Sequence, residues 1–146
     1  MFCGIGCDTI SMQRQIGSKL ISTELNGETF ANLLENVKEF TITDVTPINC
    51  DCSTMVPSEP DLVYFDPPWG SGFESGKEFD FSTVYLSNGK NVIGLLHEIL
   101  DRYKNVVVKA PFDCVTFELE FDKHIIRVYA LPKPKLKFLF LKKNEP

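Results

Sequence analysis

Apolar and polar residues alternate along the chain in blocks that predict strands separated by helices. Four short apolar runs are typical of β-strands: Lys19–Glu24, Val45–Asn49, Leu62–Phe65 and Asn105–Lys109. Two longer segments, Gly27–Phe40 and Val92–Tyr103, carry apolar residues at helical spacing, and Asn26 is a suitable N-cap for the first. Pro47 predicts an edge position for the second strand, because proline cannot donate a hydrogen bond to a neighbour. Phe73–Asn88 mixes glycine, serine and aromatic residues and predicts no single element.

The C-terminal part of the chain predicts a hairpin. His124–Ala130 and Leu136–Leu141 have the pattern of two antiparallel strands, and Pro132 and Pro134 make the connection between them irregular. Strands that alternate with helices before a closing hairpin predict one α/β domain over residues 1–146. We expect a three-layer sandwich with a mostly parallel sheet.

The net charge is mildly acidic, −5, from 15 lysines and arginines and 20 acidic residues. This balance argues against binding polyanions over a broad basic surface, but it permits a local nucleic-acid contact. The C-terminal stretch is basic, with Glu145 as its opposing acid, and contains Lys133, Lys135, Lys137, Lys142 and Lys143. These lysines are consistent either with a solvated, protected edge strand or with a phosphate-contacting patch beside an active site.

The five cysteines are too few and too irregularly spaced for the disulfide framework of a secreted domain: Cys3, Cys7, Cys50, Cys52 and Cys114. Their spacings also differ from those of zinc ligands, so no metal site is predicted. The sequence has neither a basic-then-apolar leader nor an apolar run of the roughly 18 residues that span a bilayer. We therefore expect reduced thiols, no membrane partner and an intracellular location, in the nucleus or the cytoplasm.

The first candidate site is a glycine-rich segment, Phe2–Thr9, in which Gly4 and Gly6 stand two positions apart. Such glycines let a backbone turn sharply from a strand into a helix and approach a ligand closely, although an ordinary turn has the same pattern. Only Met1 and Phe2 are available to form the strand before this loop. We therefore expect the first, central strand of the sheet to be truncated.

Two acids follow predicted strands at positions that suit a nucleoside ligand. Glu24 ends the strand after the glycines, where a Rossmann-like fold binds ribose hydroxyls with an acceptor-only carboxylate. Asp51 follows the next strand, beside the expected position of the base, and can accept a hydrogen bond from an adenine amine. The alternative to ligand binding is that each acid is an ordinary turn residue. In that case Glu24 would be exposed to solvent.

The most specific motif is Asp66-Pro67-Pro68-Trp69-Gly70, directly after the apolar strand that ends at Phe65. Its prolines fix φ and remove two amide donors, which leaves the Asp66 carboxylate and the Pro67 carbonyl as two acceptors near one point. That pair suits the exocyclic NH₂ of a nucleobase, and the Trp69 ring offers a face on which the base can stack. A rigid turn is the alternative explanation.

Together these segments resemble the class I S-adenosylmethionine-dependent methyltransferases that act on exocyclic amines of nucleobases. That family has a glycine-rich motif, an acid after the second strand, an Asp after the third and [D/N/S]-P-P-[Y/F/W] after the fourth. The resemblance covers most of the chain and implies a Rossmann-like fold, S-adenosylmethionine as cofactor and a nucleic acid as substrate.

The resemblance also implies roles for individual residues. The implied cofactor-binding residues are Phe2, Gly4, Gly6, Thr9, Glu24, Asp51 and Asp66. The implied catalytic residues are Asp66, Pro67 and Trp69, and the implied substrate-binding residues are Pro68, Trp69, Lys109, Pro111 and Phe112. From its position at the end of a strand, Lys109 is equally consistent with a phosphate contact and with a purely structural role.

The P-P-W-G form and the later segment Val107–Phe112 are most similar to the trimethylguanosine synthases, which methylate the 2-amino group of an RNA cap guanosine. The chain departs from that branch in two segments. Asp66 replaces its usual serine, and Ser71-Gly72-Phe73 replaces a glycine-proline. Asp66 is closer to the adenine-amino and ribosomal guanine-amino methyltransferases. We therefore predict an enzyme that acts on capped RNA, with those two substrates as alternatives.

Two other classes of protein share part of the pattern. A non-catalytic, methyltransferase-like subunit that binds RNA or a partner would explain a truncated first strand. A nicotinamide dehydrogenase shares the glycines and Glu24, but it gives no reason for the motif Asp66–Trp69.

Overall fold

The chain divides into two compact units, Met1–Val56 and Pro57–Pro146. The computed structural model describes residues 1–54, 59–71, 73–115, 121, 124–133 and 135–143. Three residues named in the sequence motifs lie outside these ranges: Gly72, Pro134 and Glu145. Each unit contains its own β-sheet.

The N-terminal unit contains two helices and a parallel pair of strands: α1 (Cys7–Ile16), β1 (Leu20–Glu24), α2 (Gly27–Glu39) and β2 (Val45–Asn49). The two strands pair along their whole length, from Leu20 opposite Val45 to Glu24 opposite Asn49. Their carboxyl ends therefore lie side by side. The residues that follow the strands are brought to one edge of the sheet, which is where ligands bind in open α/β sheets.

Local sequence explains how α2 begins and packs. Asn26 has an extended backbone, and its side chain accepts a hydrogen bond from the amide of Thr29 at 2.9 Å. Leu33 is fully buried, and α2 contacts both strands. Pro47 lies in β2, whose only strand partner within the described residues is β1, in agreement with the predicted edge position.

Residues 1–3, which the structure describes, form no strand ahead of the glycine loop. The amide of Cys3 donates a 3.0 Å hydrogen bond to the carbonyl of Thr23 in β1. The loop therefore joins β1 through a main-chain bond and not through a strand ladder.

The described residues of the C-terminal unit form a four-stranded sheet and a long helix: β3 (Val63–Phe65), α3 (Val92–Arg102), β4 (Asn105–Pro111), β5 (Ile125–Leu131) and β6 (Leu136–Lys142). The strand order is β3-β4-β6-β5, with β3 and β4 parallel and the other two pairs antiparallel. The predicted hairpin is therefore confirmed, and β6 lies between β4 and β5. Phe73–Asn88 contains a 3₁₀ turn at Phe81–Thr83 and no longer element, as predicted.

The helix α3 supplies much of the core of this unit, because its apolar residues recur every three or four positions. Val92, Leu95 and Ile99 are almost completely buried, and the helix packs on β4. Asn91 caps it, since its side chain accepts a hydrogen bond from the amide of Ile93 at 2.9 Å. None of the helices in the described ranges is long and apolar enough to cross a bilayer.

Candidate cofactor and substrate sites

The glycine loop depends on two residues with left-handed backbone angles. Gly4 has φ +54° and Gly6 has φ +93°, a region that residues with side chains rarely adopt. A Cβ atom at Gly6 would overlap the side chain of Leu33 in α2, so this glycine lets the loop pack against the helix. A Cβ atom at Gly4 would meet no atom within 4 Å. The main chain at Gly4 therefore borders open space, into which a ligand can fit.

Glu24 connects this loop to the end of β1. Its Oε2 accepts a hydrogen bond from the amide of Gly4 at 3.0 Å, and its Oε1 accepts one from the amide of Asn26 at 2.8 Å. The sequence predicts a ligand contact for Glu24, but it does not predict these two hydrogen bonds. Each carboxylate oxygen has a second acceptor position. Glu24 can therefore bind ribose hydroxyls while it holds the loop.

Asp51 lies at the same edge of the sheet, because the amide of Cys50 donates to the carbonyl of Glu24 at 3.1 Å. Its Oδ1 accepts a hydrogen bond from the amide of Ser53 at 2.8 Å, and its carbonyl accepts one from the hydroxyl of Thr54 at 2.9 Å. The residue therefore stabilises a turn. Its half-buried carboxylate can still accept a further hydrogen bond from an amine.

Thr9 and Phe2, the remaining predicted cofactor residues of the N-terminal unit, differ in their surroundings. Thr9 lies in the first turn of α1, and its hydroxyl is 3.0 Å from the hydroxyl of Ser22 in β1, with both residues buried. The Thr9 side chain therefore packs the helix on the strand, so a contact to a ligand would have to come from its main chain. Phe2 has a positive φ of +57°, which is uncommon for a residue with a side chain.

Three thiols of this unit have raised pKa values. Burial is the main cause that raises the pKa of Cys3 to about 11 and that of Cys52 to about 12. Burial and the nearby Asp51 carboxylate also raise the pKa of Cys50. The thiolate is the nucleophile, so these raised pKa values argue against a nucleophilic role for Cys3, Cys50 and Cys52. Among the described residues, no group of three or more His, Cys, Asp or Glu is arranged to hold a metal ion.

In the C-terminal unit, Asp66 directly follows β3, and its carboxylate forms an ion pair with Lys109 of β4. The Oδ2 of Asp66 lies 3.0 Å from the Nζ of Lys109, and the exposed fractions of the two side chains are 23% and 18%. The parallel register pairs Phe65 with Val108, so the two charged residues occupy adjacent positions on neighbouring strands. The sequence singled out both residues but did not predict that they form an ion pair.

The rest of the Asp66–Gly70 motif is held by aromatic contacts. Pro67 is buried, Pro68 is exposed and Trp69 is half-buried. The Trp69 ring meets Phe73 edge to face, with centroids 4.8 Å apart, and Phe73 meets Phe79 in the same way at 5.6 Å. The buried Nε1 of Trp69 has no hydrogen-bond partner among the residues that the structure describes.

Pro111 and Phe112 lie at the carboxyl end of β4, the same end of the parallel pair at which Asp66 follows β3. Pro111 is buried and Phe112 is half-buried, with its amide bonded to the carbonyl of Lys135 at 3.0 Å. A cavity of about 260 Å³ opens beside Phe112 and is also lined by Gly76, Glu78, Asp113, Cys114, Val115 and Lys137. The predicted substrate residues of this unit thus share one end of the sheet.

The basic C-terminal stretch is divided between the two ends of β6. Leu136 pairs with Pro111, so Lys133 and Lys135 precede the strand at the end where Asp66 and Phe112 lie. Lys142 pairs with Asn105 and lies at the opposite end, together with Lys143, whose Nζ donates to the carbonyl of Asp101. Lys137 donates to the carbonyl of Cys114 at 2.9 Å. The lysines therefore do not form one continuous patch.

Comparison with solved structures identifies the fold. A SAM-dependent methyltransferase from Aquifex aeolicus matches with a TM-score of 0.66 at 10% identity, over 98% of this chain and 79% of its own. An rRNA methylase from Streptococcus thermophilus matches with a TM-score of 0.57 at 12% identity, over 98% and 83%. The N-terminal domain of human METTL16 in complex with SAH matches with a TM-score of 0.63 at 12% identity, over 98% and 59%. These matches confirm the Rossmann-like methyltransferase fold.

Comparison by sequence identifies the family. No curated protein matches this chain. The family model described as RNA cap guanine-N2 methyltransferase matches residues 1–145, which include the glycine loop, Glu24 at the end of β1, Asp51 after β2, and the Asp66–Gly70 motif. The chain therefore belongs to the RNA cap guanine-N2 methyltransferase family and is an S-adenosylmethionine-dependent methyltransferase.

Proposed function

We propose that this enzyme methylates the 2-amino group of the guanosine in an RNA cap. The observation that carries the proposal is the Asp66-Pro67-Pro68-Trp69 motif at the carboxyl end of β3, in a chain that matches the cap guanine-N2 family along residues 1–145. The motif combines two acceptors with a flat ring. That combination suits a planar base with an exocyclic amine better than it suits an alcohol or a carboxylate substrate.

In this proposal the amine is held by two acceptors. The Asp66 carboxylate and the Pro67 carbonyl each receive one N–H of the guanine NH₂ group. The lone pair of an aromatic amine is delocalised into the ring, so the amine is a poor nucleophile until hydrogen bonds orient it and stabilise the charge that develops on it. The contribution of these residues is therefore positioning and electrostatic stabilisation.

Trp69 supports the base by stacking. Its ring is fixed by the edge-to-face contact with Phe73, so it offers a rigid surface whose position is set before the substrate arrives. Stacking on an aromatic side chain is worth about 1–3 kcal/mol per base. A cap nucleotide lies at the end of the RNA, so the enzyme does not have to flip it out of a duplex.

The N-terminal unit holds the cofactor in this proposal. S-adenosylmethionine supplies the methyl group from its sulfonium centre. Glu24 accepts hydrogen bonds from the ribose hydroxyls, and Asp51 accepts one from the adenine amine. The open space at Gly4 admits the cofactor against the main chain, because a side chain there would occupy it.

The RNA contact is assigned to Lys133 and Lys135, which precede β6 at the end of the sheet where Asp66 and Phe112 lie. The phosphates of a cap and of the following nucleotides are the anionic groups that these ammonium groups would neutralise. An acidic protein with a small basic region of this kind is suited to a local contact with RNA.

The test is methylation by the full chain with isotopically labelled S-adenosylmethionine on three substrates: an m⁷G-capped RNA, an adenine-containing DNA and a structured ribosomal RNA. We expect label in the capped RNA, and mass spectrometry of the digested product should locate it on the guanine 2-amino group. Methylation confined to either of the other substrates would overturn the assignment to the cap.

One observation favours a second candidate. Asp66 stands where trimethylguanosine synthases usually have serine, and a carboxylate at this position is closer to adenine-amino and ribosomal guanine-amino methyltransferases. The same three-substrate assay decides between them, because each candidate predicts label in a different nucleic acid.

A further inference from the structure

We propose that Lys109 is a positioning residue for methyl transfer: it holds the Asp66 carboxylate by Oδ2 and so fixes the orientation in which this carboxylate meets the substrate amine. This inference rests on the proposed function, in which Asp66 receives an N–H of the reacting amine. Lys109 acts through Asp66 and does not itself touch the reacting atoms.

The backbone explains why Lys109 can serve as a fixed support. It lies in β4, which is bonded to β3 on one side and to β6 on the other, with Lys109 opposite Phe138. Asp66, in contrast, follows a strand of three residues and begins an irregular segment. The ion pair therefore connects Asp66, in the irregular segment after β3, to a central strand of the sheet.

Partial burial makes the pair suitable for this role. With exposed fractions of 18% and 23%, the two side chains are shielded from most of the solvent but are not fully desolvated. Solvent screens the two charges less than it screens an ion pair on an exposed surface. The pair also avoids the large desolvation penalty of a deeply buried ion pair. A charge-assisted bond of 3.0 Å also restricts the rotation of the carboxylate about its side-chain torsions.

The pair also limits what Asp66 can do chemically. The Lys109 ammonium group offsets the negative charge of the Asp66 carboxylate, and its hydrogen bond withdraws electron density from the oxygen atoms. In this proposal Asp66 orients the amine by accepting a hydrogen bond from it. The proton of the methylated amine accordingly leaves to solvent after transfer, and the neutral secondary amine and S-adenosylhomocysteine are the products.

The ion pair argues against the alternative that Lys109 binds a substrate phosphate. Its ammonium group lies 3.0 Å from Asp66 on a side chain that is only 18% exposed, so it is less accessible to a phosphate than an exposed lysine is. Lys133 and Lys135 are more exposed and lie at the same end of the sheet, so they can serve the phosphates instead.

The test compares the wild type with Lys109→Met and Lys109→Arg. Methionine has a similar length without charge, so kcat should fall by about 10- to 100-fold, the effect expected of a misoriented reacting group. The KM for RNA and the Kd for S-adenosylmethionine should stay within about twofold, because this proposal gives the RNA contact to Lys133 and Lys135 and the cofactor contacts to the N-terminal unit. Arginine keeps the ion pair, so Lys109→Arg should recover most of kcat. Thermal unfolding of each variant separates these effects from loss of fold.

A double-mutant cycle with Asp66→Asn supplies the decisive readout. Lys109→Met should have almost no further effect on kcat in that background, because the carboxylate it positions is gone. Three results would overturn the proposal: unchanged kcat in Lys109→Met, a rise in the KM for RNA alone, or equal losses with and without Asp66. Absence of any methylation by the wild type on the three nucleic acids would instead overturn the proposed function, and the Lys109 assignment with it.

Discussion

The amide of Gly4 donates a hydrogen bond to Oε2 of Glu24 at 3.0 Å, across 20 positions of the sequence. The other oxygen of the same carboxylate accepts a bond from the amide of Asn26 at 2.8 Å. One side chain thus fixes the glycine loop, the end of β1 and the start of α2 relative to one another. Glu24, predicted from sequence as a ligand contact, is therefore also a support of the glycine loop.

Replacing Glu24 should affect cofactor binding before any other property. Glu24→Ala removes an acceptor for the ribose and frees the loop, and hydrogen bonds to charged groups contribute about 1.5–3 kcal/mol. We expect the Kd for S-adenosylmethionine to rise about 10- to 100-fold by isothermal titration calorimetry. Glu28→Ala is the matched control, because Glu28 is exposed in the first turn of α2. Equal affinities in both variants would remove Glu24 from the cofactor site.

Gly6 should be more sensitive to substitution than another glycine with the same kind of backbone. Gly6→Ala introduces left-handed strain and an overlap with Leu33. Gly17→Ala introduces the strain alone, since Gly17 has φ +62° and a Cβ atom there would meet nothing within 4 Å. Overpacking costs about 1–3 kcal/mol, so Gly6→Ala should lower the free energy of unfolding by about that much more than Gly17→Ala. Denaturant titrations measure the difference, and equal losses would show that the Leu33 side chain moves aside without cost.

The spacing of apolar residues predicted the helices that bury one face against the sheet. It predicted less well the elements that depend on tertiary contacts. The helices α2 and α3 were found to within one residue at either end, because their apolar faces repeat at helical spacing. The helix α1 was expected only as the continuation of the glycine loop, without bounds, because most of its residues are polar. At β3, Leu62 looks like a strand residue but is 49% exposed and lies outside the pairing with β4.

Contacts between distant residues could not be predicted from the same patterns. The ion pair of Asp66 and Lys109 depends on the register of two strands whose residues are 43 positions apart. The C-terminal lysines looked like one basic stretch, but a strand rises about 3.3 Å per residue and carries Lys137 and Lys142 to opposite ends of a sheet. Motif spacing identified the residues of the candidate site, and only the fold showed which of them touch.

Asp66 should be needed for methyl transfer and not for cofactor affinity. Asp66→Ala should lower kcat by about 100-fold or more, the effect typical of removing one preorganised polar group beside the reacting atoms. The Kd for S-adenosylmethionine should stay within about threefold, because the cofactor contacts assigned to the N-terminal unit are intact. Asp61→Ala is the control, an exposed acid just before β3. A parallel loss of affinity and rate would instead assign Asp66 to the cofactor site.

The lysines at the two ends of β6 provide a test of the RNA contact with a built-in control. Lys133→Gln with Lys135→Gln removes two charges at the end where Asp66 lies, whereas Lys142→Gln with Lys143→Gln removes two at the opposite end. Both double variants have the same net charge, so a difference between them reports position and not overall repulsion of the RNA.

We expect the first double variant to raise the KM for capped RNA and to weaken its dependence on salt. For single strands the slope of log affinity against log salt changes by about 0.7 for each phosphate that the protein no longer neutralises. The second variant should behave like the wild type in both measurements. If the two variants raise the KM equally, the lysines act through net charge alone. If neither variant raises the KM, the phosphates are bound elsewhere, and Lys133 and Lys135 are best explained as solvated residues ahead of β6, which lies inside the sheet.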